Sequence, residues 1–214
     1  LGSRAISKRR LLSIVGKCSF AARVVRQGRA FLGRLIQAAK SAKSLHHSIR
    51  LDSEARADLQ WWVRCLQSHN GISYFAPSWD DPVHVFSDAS DLAAGACCGS
   101  EWFALPYKGS LDYIRAHSIN WREFHAALTA LSCWGPQLRG RSVIFHIDNT
   151  CVCYILNSLY TPVPQLMWFV RQWALTVELY NLTVAPVHIS THENVDADDL
   201  SRLRVEDFKA RNPH

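Results

Sequence analysis

The sequence predicts an α/β fold, with a five-stranded mixed sheet flanked by helices and preceded by a small all-helical unit. Between residues 83 and 204, extended runs and helical patterns follow one another in the order β-β-β-α-β-α-α-β-α. Turn signals separate the first three strands, which is typical of an antiparallel meander. Helices precede each of the last two strands, which is typical of parallel strands. Before this region, residues 1–50 show helical spacing of their apolar side chains.

The length and composition are those of one ordinary domain plus a smaller unit. The chain has 214 residues, of which 48% are hydrophobic. No apolar run reaches the roughly 18 residues of a membrane-spanning helix, and the N-terminus lacks the layout of a signal peptide. The seven cysteines lack paired C-x-x-C spacing, which favours reduced core thiols over metal or disulfide roles. We therefore expect an intracellular protein, cytoplasmic or nuclear, with no membrane contact.

The N-terminal region, residues 1–74, begins with two basic helices. They are "RRLLSIVGKCSFAARVV" and "GRAFLGRLIQAAKSA", with Gly28 at the break between them. In both, apolar residues recur at three- and four-residue spacing with Arg and Lys in between.

A third helix follows in "DSEARADLQWWVRCLQSH". Asp52 or Ser53 can cap its start, and Asn70-Gly71 gives it an end. Its tryptophan pair is expected in the core, because apolar residues at helical spacing usually face the interior. The proline-containing stretch at 75–82 then predicts a linker.

The charge is divided unevenly along the chain. Residues 1–50 contain twelve Lys or Arg and no Asp or Glu, whereas residues 51–214 contain twelve basic and eighteen acidic residues, a balance of −6. A solvated helical face can also be basic, but the complete absence of acids favours contact with a nucleic acid. The candidate contacts in this unit are Arg23, Arg26, Arg29 and Arg34.

The elements of the main domain, residues 83–204, can be read off in order. The first helix of this domain, "SINWREFHAALTALSCW", can be capped by Ser118 or Asn120 and ends at Gly135-Pro136. Residues 205–214 are predicted to be a C-terminal tail. The predicted strands are "VHVFSDA", "LAAGACCG", "EWFALPY", "RSVIFHID" and "LTVAPVHI", and the predicted helices are "SINWREFHAALTALSCW", "NTCVCYILNS", "VPQLMWFVRQWALTVELY" and "NVDADDLSRL".

Two of these strands end on an aspartate. Asp88 ends the first strand and Asp148 ends the fourth. If the two strands are parallel neighbours, both carboxylates emerge at one end of the sheet, where ligand sites of α/β proteins lie. Glu123, one turn into the first long helix, can point toward the same strand ends, and Asp198 lies in the final helix.

Four carboxylates held together require positive charge. They repel one another and raise each other's pKa values unless a cation neutralises them. Oxygen ligands suit Mg²⁺ or Mn²⁺ and do not suit zinc. Two such ions about 4 Å apart can activate water and stabilise the leaving oxygen of a phosphodiester. Each acid alone has an ordinary role as a cap or a solvated side chain, so the prediction depends on the joint pattern.

The ordered pattern resembles the ribonuclease H domains of retroelement reverse transcriptases. The matching segments are "FSDASDLAAGA", "INWREFHAALTAL", "HIDNTCVCYIL" and "HISTHENVDADDLSR", in the family's order across residues 83–204. The resemblance implies a ribonuclease H-like fold and a metal-dependent endonuclease that cuts the RNA strand of RNA–DNA hybrids. The products would carry 3′-hydroxyl and 5′-phosphate ends. It also implies two Mg²⁺ ions, for which Mn²⁺ can substitute.

The resemblance also implies a role for each acid. Asp88 would bridge both metals, Glu123 and Asp148 would serve the metal beside the leaving oxygen, and Asp198 would serve the metal that carries the attacking water. In the family's Asn-x-x-Ala-Asp ending, Asn194 and Asp198 take the marked places. The asparagines at positions 149 and 194 are further candidate nucleic-acid contacts, and the acids at positions 196 and 199 would be surface residues.

His192 resembles the mobile histidine that assists product release in cellular relatives. In those relatives a loop of several residues separates the histidine from the asparagine, whereas here only Glu193 separates His192 from Asn194. His188 is the alternative, although its strand position favours a core or sheet-edge role.

The N-terminal helices resemble the thumb-and-connection stretch upstream of such domains, most closely in tyrosine-recombinase (DIRS-like) retroelements. This resemblance implies that a basic unit tracks the phosphate backbone while the acidic site does the chemistry. The Tyr-x-Asp-Asp motif of the polymerase is absent from the sequence. The expected partners are therefore an RNA–DNA hybrid and a polymerase domain on the same or a separate polypeptide.

Two other functions remain open at this point. A DNA nuclease or strand-transfer enzyme of the same superfamily would share the fold but usually has fewer matching acids. A catalytically silent nucleic-acid-binding scaffold would use mainly the basic helices. Near the site, Asp91 is predicted to be a hairpin turn residue that Asn or Gly can replace at little cost to activity. The small residues of "AAGACCG" are predicted to allow close packing of the sheet.

Overall fold

The computed structural model describes residues 5–68 and 79–213. The chain divides into two compact units, Leu1–Phe75 and Ala76–His214. The predicted helix end at Asn70-Gly71 and the first half of the predicted linker, residues 75–78, lie outside the described residues. In the part that is described, no helix is long and apolar enough to cross a membrane.

The first unit is mainly helical but contains one short strand pair, which corrects the expectation of an all-helical unit. Its strands run antiparallel with Ile6 opposite the buried Ile49. Strands of three residues are too short to show alternation, so the sequence pattern did not predict them. The elements of this unit are β1 (Ala5–Ser7), α1 (Lys8–Ala21), a 3₁₀ helix (Arg26–Phe31), α2 (Gly33–Ser41), β2 (Ser48–Arg50) and α3 (Ser53–Ser68).

Aromatic packing holds the core of the first unit. The rings of Phe31 and Trp61 stack with centroids 4.1 Å apart. Trp62 is 1% exposed and lies so close to Gly28 that a Cβ there would be 2.3 Å from its ring. The tryptophan pair is therefore core, as the sequence indicated, and Gly28 is required by this close approach.

The second unit is an α/β domain with a five-stranded mixed sheet flanked by helices, so the predicted fold class is confirmed. The strand order is β5-β4-β3-β6-β7, with three antiparallel strands followed by two parallel ones. Its elements are β3 (Val83–Ala89), β4 (Ala93–Cys98), β5 (Glu101–Pro106), a 3₁₀ helix (Gly109–Ala116), α4 (Ile119–Trp134), β6 (Ser142–Ile147), α5 (Thr150–Ser158), α6 (Pro164–Leu179), β7 (Thr183–His188), α7 (Val195–Ser201) and α8 (Val205–Arg211).

Helices α4 and α6 cover one face of the sheet. Phe145 of β6 meets Trp173 of α6 with ring centroids 5.0 Å apart. Phe124 of α4 stacks on Phe169 of α6 with centroids 5.3 Å apart. Ser118 caps α4 by accepting a hydrogen bond from the Trp121 amide, which settles the choice between the two cap candidates.

Helices α7 and α8 cover part of the opposite face, which corrects the predicted C-terminal tail. Phe208 of α8 is 5% exposed and packs with Cys97 and Leu200. Its ring centroid also lies 5.3 Å from that of Trp102. Because Phe208 is the one aromatic residue in a short charged segment, the segment shows too little apolar periodicity to predict a helix.

Strand β7 lies at one edge of the sheet and contains a proline. Pro186 pairs in register with Phe145 of β6. The carbonyl of Pro186 accepts a hydrogen bond of 2.9 Å from the Asn157 amide of α5. Proline is tolerated in a sheet at such an edge, where its missing N–H faces away from the neighbouring strand.

Gly95 allows α7 to pack directly on β4. A Cβ at this position would lie 2.4 Å from the Ser201 backbone nitrogen and 2.6 Å from the Ala197 carbonyl oxygen. Gly95 is also the register partner of Asp88 on β3. The predicted close packing of the small residues on β4 is therefore present beside the strand that carries Asp88.

We expect Gly95→Ala to destabilise the second unit by about 1–3 kcal/mol, because α7 must shift to accommodate the methyl group. Urea unfolding measures this loss. The control is Gly16→Ala on α1, where an added Cβ meets nothing within 4 Å. That variant should gain about 0.5–1 kcal/mol from helix propensity. Equal stability of Gly95→Ala and wild type would contradict the packing described.

Candidate metal centre

Three carboxylates converge at one end of the central strand pair. Strands β3 and β6 are parallel, with Ser87 opposite Ile147, so Asp88 and Asp148 emerge at the same end. Glu123 comes from α4, which packs on β3. Oxygen atoms of these three carboxylates all lie within 4.8 Å of one another.

Burial and mutual repulsion raise the pKa values of two of these acids. Burial, followed by the charges of Asp88 and Asp148, raises the pKa of Glu123 to about 9, although Arg122 opposes this shift. Burial is also the main cause that raises the pKa of Asp88 to about 6. The site is therefore short of positive charge, since both groups would be ionised in water at pH 7.

The residues of the site fit a hard divalent cation. The Oε2 atom of Glu123 and the Oδ1 atom of Asp148 are buried and accept no hydrogen bond from the described residues. Buried carboxylate oxygens without a donor are costly unless a cation satisfies them. Oxygen-only ligands suit Mg²⁺ or Mn²⁺. Asp88, Glu123 and Asp148 are the residues that could hold such an ion.

Neighbouring hydroxyl and amide groups fix the carboxylates and their strands. Ser201, which is completely buried, donates a 2.5 Å hydrogen bond to Asp88 Oδ2. Thr191 donates to Asp148 Oδ2 at 3.1 Å. Asn194 is 1% exposed and donates to the Ser87 carbonyl oxygen at 3.1 Å. Asn194 is therefore turned into the protein and joins α7 to β3, which corrects its prediction as a nucleic-acid contact.

Asp198 is the predicted fourth acid, and the three-carboxylate group does not include it. Its carboxylate pairs with Arg202 Nε at 2.7 Å and with an Arg204 nitrogen at 2.5 Å. These guanidinium groups, four and six residues further along the chain, neutralise the Asp198 carboxylate. Asp198 nevertheless lies near enough that its charge contributes to the raised pKa of Asp88.

Of the two acids of this segment predicted to be surface residues, Asp199 is buried, whereas Asp196 is partly exposed. Asp199 is 4% exposed and forms ion pairs with Arg204, at 2.6 Å, and with Arg211. Asp196 is partly buried and pairs with the same Arg211 at 3.1 Å. Arg211 belongs to α8, so one of the arginines that neutralise these acids comes from the segment predicted to be a tail.

Asp91 lies in the turn between β3 and β4, as predicted, and its side chain also forms an ion pair. Its carboxylate pairs with the buried guanidinium of Arg122. Arg122 is the neighbour of Glu123 in α4, and its charge opposes the rise in the Glu123 pKa. Arg115 also donates to the Asp91 carbonyl oxygen at 3.1 Å. This ion pair gives Asp91 a part in stability, and its replacement by Asn or Gly at little cost to activity stays a prediction.

The remaining predicted site residues of this unit lie around the acids. Asn149 caps α5 by accepting from the Val152 amide at 3.1 Å. The Asn149 side-chain amide donates to Asn120 at 2.9 Å. His192 is exposed in the turn before α7, and His188 ends β7. Their roles in nucleic-acid contact and product release remain predictions.

In the first unit, three of the four predicted arginine contacts are exposed. Arg23, Arg26 and Arg29 are on the surface at the end of α1 and in the 3₁₀ helix. Arg34 instead forms ion pairs with Glu54 at 2.8 Å and with Asp58 at 3.5 Å. Its guanidinium is thus engaged within the unit, and the three exposed arginines remain as the predicted contacts.

Sequence reasoning missed Ser201, Thr191 and Arg122. Ser201 donates a hydrogen bond to Asp88, Thr191 donates one to Asp148, and the charge of Arg122 acts on Glu123. None of the three is of a residue type that the predicted metal site requires. Ser201 had one usable signal, since a buried serine on the inner side of α7 needs a hydrogen-bond partner.

We expect the metal-free protein to lose stability as the pH rises from about 5.5 to about 8.5. The folded Glu123 carboxyl holds its proton up to a pKa of about 9, and Asp88 up to about 6. The unfolded groups lose theirs near pH 4, so folding favours the protonated forms and stability falls through this window. Thermal unfolding with a chelator measures the slope. Glu123→Gln should flatten it, and an unchanged slope would contradict the raised pKa.

We expect Asp91→Ala to cost about 1–3 kcal/mol, because it leaves the buried Arg122 guanidinium without its carboxylate partner. Urea unfolding measures this cost. Asp112→Ala is the matched control, since its ion pair with Arg115 is exposed on both sides and is expected to contribute less than about 1 kcal/mol. Similar stabilities of the two variants would show that the Asp91 pair is unimportant.

Comparison with known proteins gives matches among solved structures alone. No protein-family model matches the chain, and no curated protein matches it. The RNase H1 of the halophilic archaeon Halobacterium salinarum NRC-1 is 18% identical, with a TM-score of 0.46 over 59% of this chain and 98% of that one. LC11-RNase H1, isolated from compost, is 20% identical, with a TM-score of 0.38 over 56% of this chain and 92% of that one.

A longer match extends over both units. The foamy viral protease-reverse transcriptase in complex with an RNA/DNA hybrid is 14% identical, with a TM-score of 0.34. The match covers 87% of this chain and 25% of the viral one. The chain is thus similar to an archaeal and a metagenomic ribonuclease H1 and to part of a viral reverse transcriptase.

Proposed function

We propose that the chain is a metal-dependent endonuclease that hydrolyses the RNA strand of RNA–DNA hybrids. The single observation that carries this proposal is the convergence of Asp88, Glu123 and Asp148 at the ends of two parallel strands. The order of the four acids in the sequence and their resemblance to ribonuclease H domains support the choice of reaction. In this proposal the chain is the C-terminal part of a retroelement reverse transcriptase.

The three carboxylates would hold the first divalent cation, and Asp198 would join them for a second. The side chain of Asp198 is 14% exposed beside the triad, and its arginine partners are about half exposed, so they can move toward solvent. Two bound Mg²⁺ ions would supply an activated water and stabilisation of the leaving oxygen. Ser201 and Thr191 would hold Asp88 and Asp148 in place by their hydrogen bonds.

The substrate class follows from charge and shape. A basic first unit with exposed arginines at positions 23, 26 and 29 suits a phosphate backbone, and binding should therefore weaken as salt rises. Recognition of a hybrid would use A-form geometry and the 2′-hydroxyl more than sequence. His192, exposed in the turn before α7, would assist product release.

We further propose a polymerase domain, on the same or a separate polypeptide, as partner, and a cytoplasmic or nuclear location.

We expect the full chain to cleave the labelled RNA strand of a hybrid only when Mg²⁺ or Mn²⁺ is present. Asp148→Asn should lower the cleavage rate by more than about 100-fold, because loss of a direct ligand should exceed the 10–100-fold effect of losing a supporting contact. A time course with a hybrid, a duplex DNA and a duplex RNA of one sequence measures rate and preference. Asp112→Asn, an exposed acid on the 3₁₀ helix, is the control and should cleave like wild type.

Each contrary outcome identifies a different function. Equal cleavage by Asp148→Asn and wild type would overturn the assignment of the site. Preferential cleavage of duplex DNA would indicate a DNA nuclease or strand-transfer enzyme. Tight binding of the hybrid without cleavage in either metal would indicate a silent scaffold.

A further inference from the structure

Both oxygens of the Asp198 carboxylate are in contact with guanidinium groups. The Nε atom of Arg202 lies 2.7 Å from Asp198 Oδ1, and the Nη2 atom of Arg204 lies 2.5 Å from Asp198 Oδ2. A guanidinium at this distance repels a cation that approaches the same oxygen. A divalent cation that uses Asp198 as a ligand therefore has to displace at least one of these two arginines.

Arg204 has a second carboxylate partner on the same helix. Its Nε atom lies 2.6 Å from Oδ1 of Asp199. Asp199 is 4% exposed, so this ion pair is less screened by water than a pair in which both partners are on the surface. Arg204 can therefore release Asp198 and still keep a carboxylate partner, so that the release costs one of its two ion pairs and leaves no charge unpaired.

The turn after α7 fixes the backbone of Arg204. The Leu203 amide donates to the Leu200 carbonyl oxygen at 3.1 Å, and the Arg204 amide donates to the Asp199 carbonyl oxygen at 2.8 Å. These two hydrogen bonds form a Schellman motif, and Leu203, with a φ of 61°, takes the left-handed position where glycine is usual. The motif turns the chain back toward the acids of α7. Because the backbone is held, a change of partner from Asp198 to Asp199 alone requires only rotation of the Arg204 side chain.

We propose that Arg204 is a built-in competitor of the second divalent cation at Asp198. In the metal-free protein its guanidinium holds Oδ2 of Asp198, and on metal binding it withdraws to Asp199 alone. This inference rests on the proposed function, which assigns the second cation to Asp198. Because Arg204 and the cation cannot hold the same oxygen, each lowers the affinity of Asp198 for the other. The second cation should therefore bind more weakly than the first, which the triad holds.

The test is a titration of the metal-free full chain with Mn²⁺, in which the electron paramagnetic resonance signal of free Mn²⁺ reports binding without any cleavage. We expect one tight and one weak site in the wild type, and Asp198→Asn should remove the weak one. Arg204→Gln should strengthen the weak site at least about 5-fold, the lower end of typical coupling between two ligands, and should change the tight site less. Arg204→Lys keeps the charge but lacks the two-sided guanidinium, so it should strengthen the weak site by a smaller factor.

Lys209→Gln is the matched control, because it also removes one positive charge and Lys209 pairs with Glu206 at 3.3 Å on the surface of α8. Both of its Mn²⁺ affinities should equal those of the wild type. Urea unfolding with a chelator confirms that each variant is folded before titration.

Two results would overturn the inference, and they differ in what they say about the proposed function. A weak site that Arg204→Gln leaves unchanged or weakens would overturn the competition alone. Binding of a single ion by both the wild type and Arg204→Gln would overturn the second cation of the proposed function, and the competition with it. The cleavage assay with Asp148→Asn tests the proposed reaction independently.

Discussion

The parallel pairing of β3 with β6 is the constraint on which the candidate site depends. An antiparallel pairing would place Asp88 and Asp148 at opposite ends of the sheet. With Ser87 opposite Ile147, both strands instead end at the same end of the sheet. Helix α4 adds the third carboxylate there through the side chain of Glu123. The same pairing places His84 and His146 close enough for a hydrogen bond of 2.8 Å between their rings.

Negative charge near the sheet end is balanced in two different ways. The acids at positions 196, 198 and 199 each have Arg204 or Arg211 as partner. In the triad, by contrast, Glu123 and Asp148 each keep one buried oxygen without a donor among the described residues. Ion pairs neutralise the first group within the fold. The buried oxygens without a donor in the second group are what favours a divalent cation at this site.

The sequence predicted the sheet and the three converging acids well, because each depends on local pattern. β3 matches the predicted "VHVFSDA", and alternation plus turn signals located its neighbours within one or two residues. The strand pair β1–β2 and helix α8 were missed, since each is too short to show a period. The partners of Asp91 and Asp198 were missed for another reason. Those ion pairs join positions that only the folded chain brings together, and no spacing rule encodes them.

Pro186 has a consequence for the protein's behaviour at high concentration. The outer side of β7 is a sheet edge, and such an edge offers unpaired backbone groups to a strand from another molecule. Proline removes one donor from the middle of that ladder. Strand-by-strand aggregation of the second unit at this edge is therefore disfavoured, without any charged side chain having to be placed there.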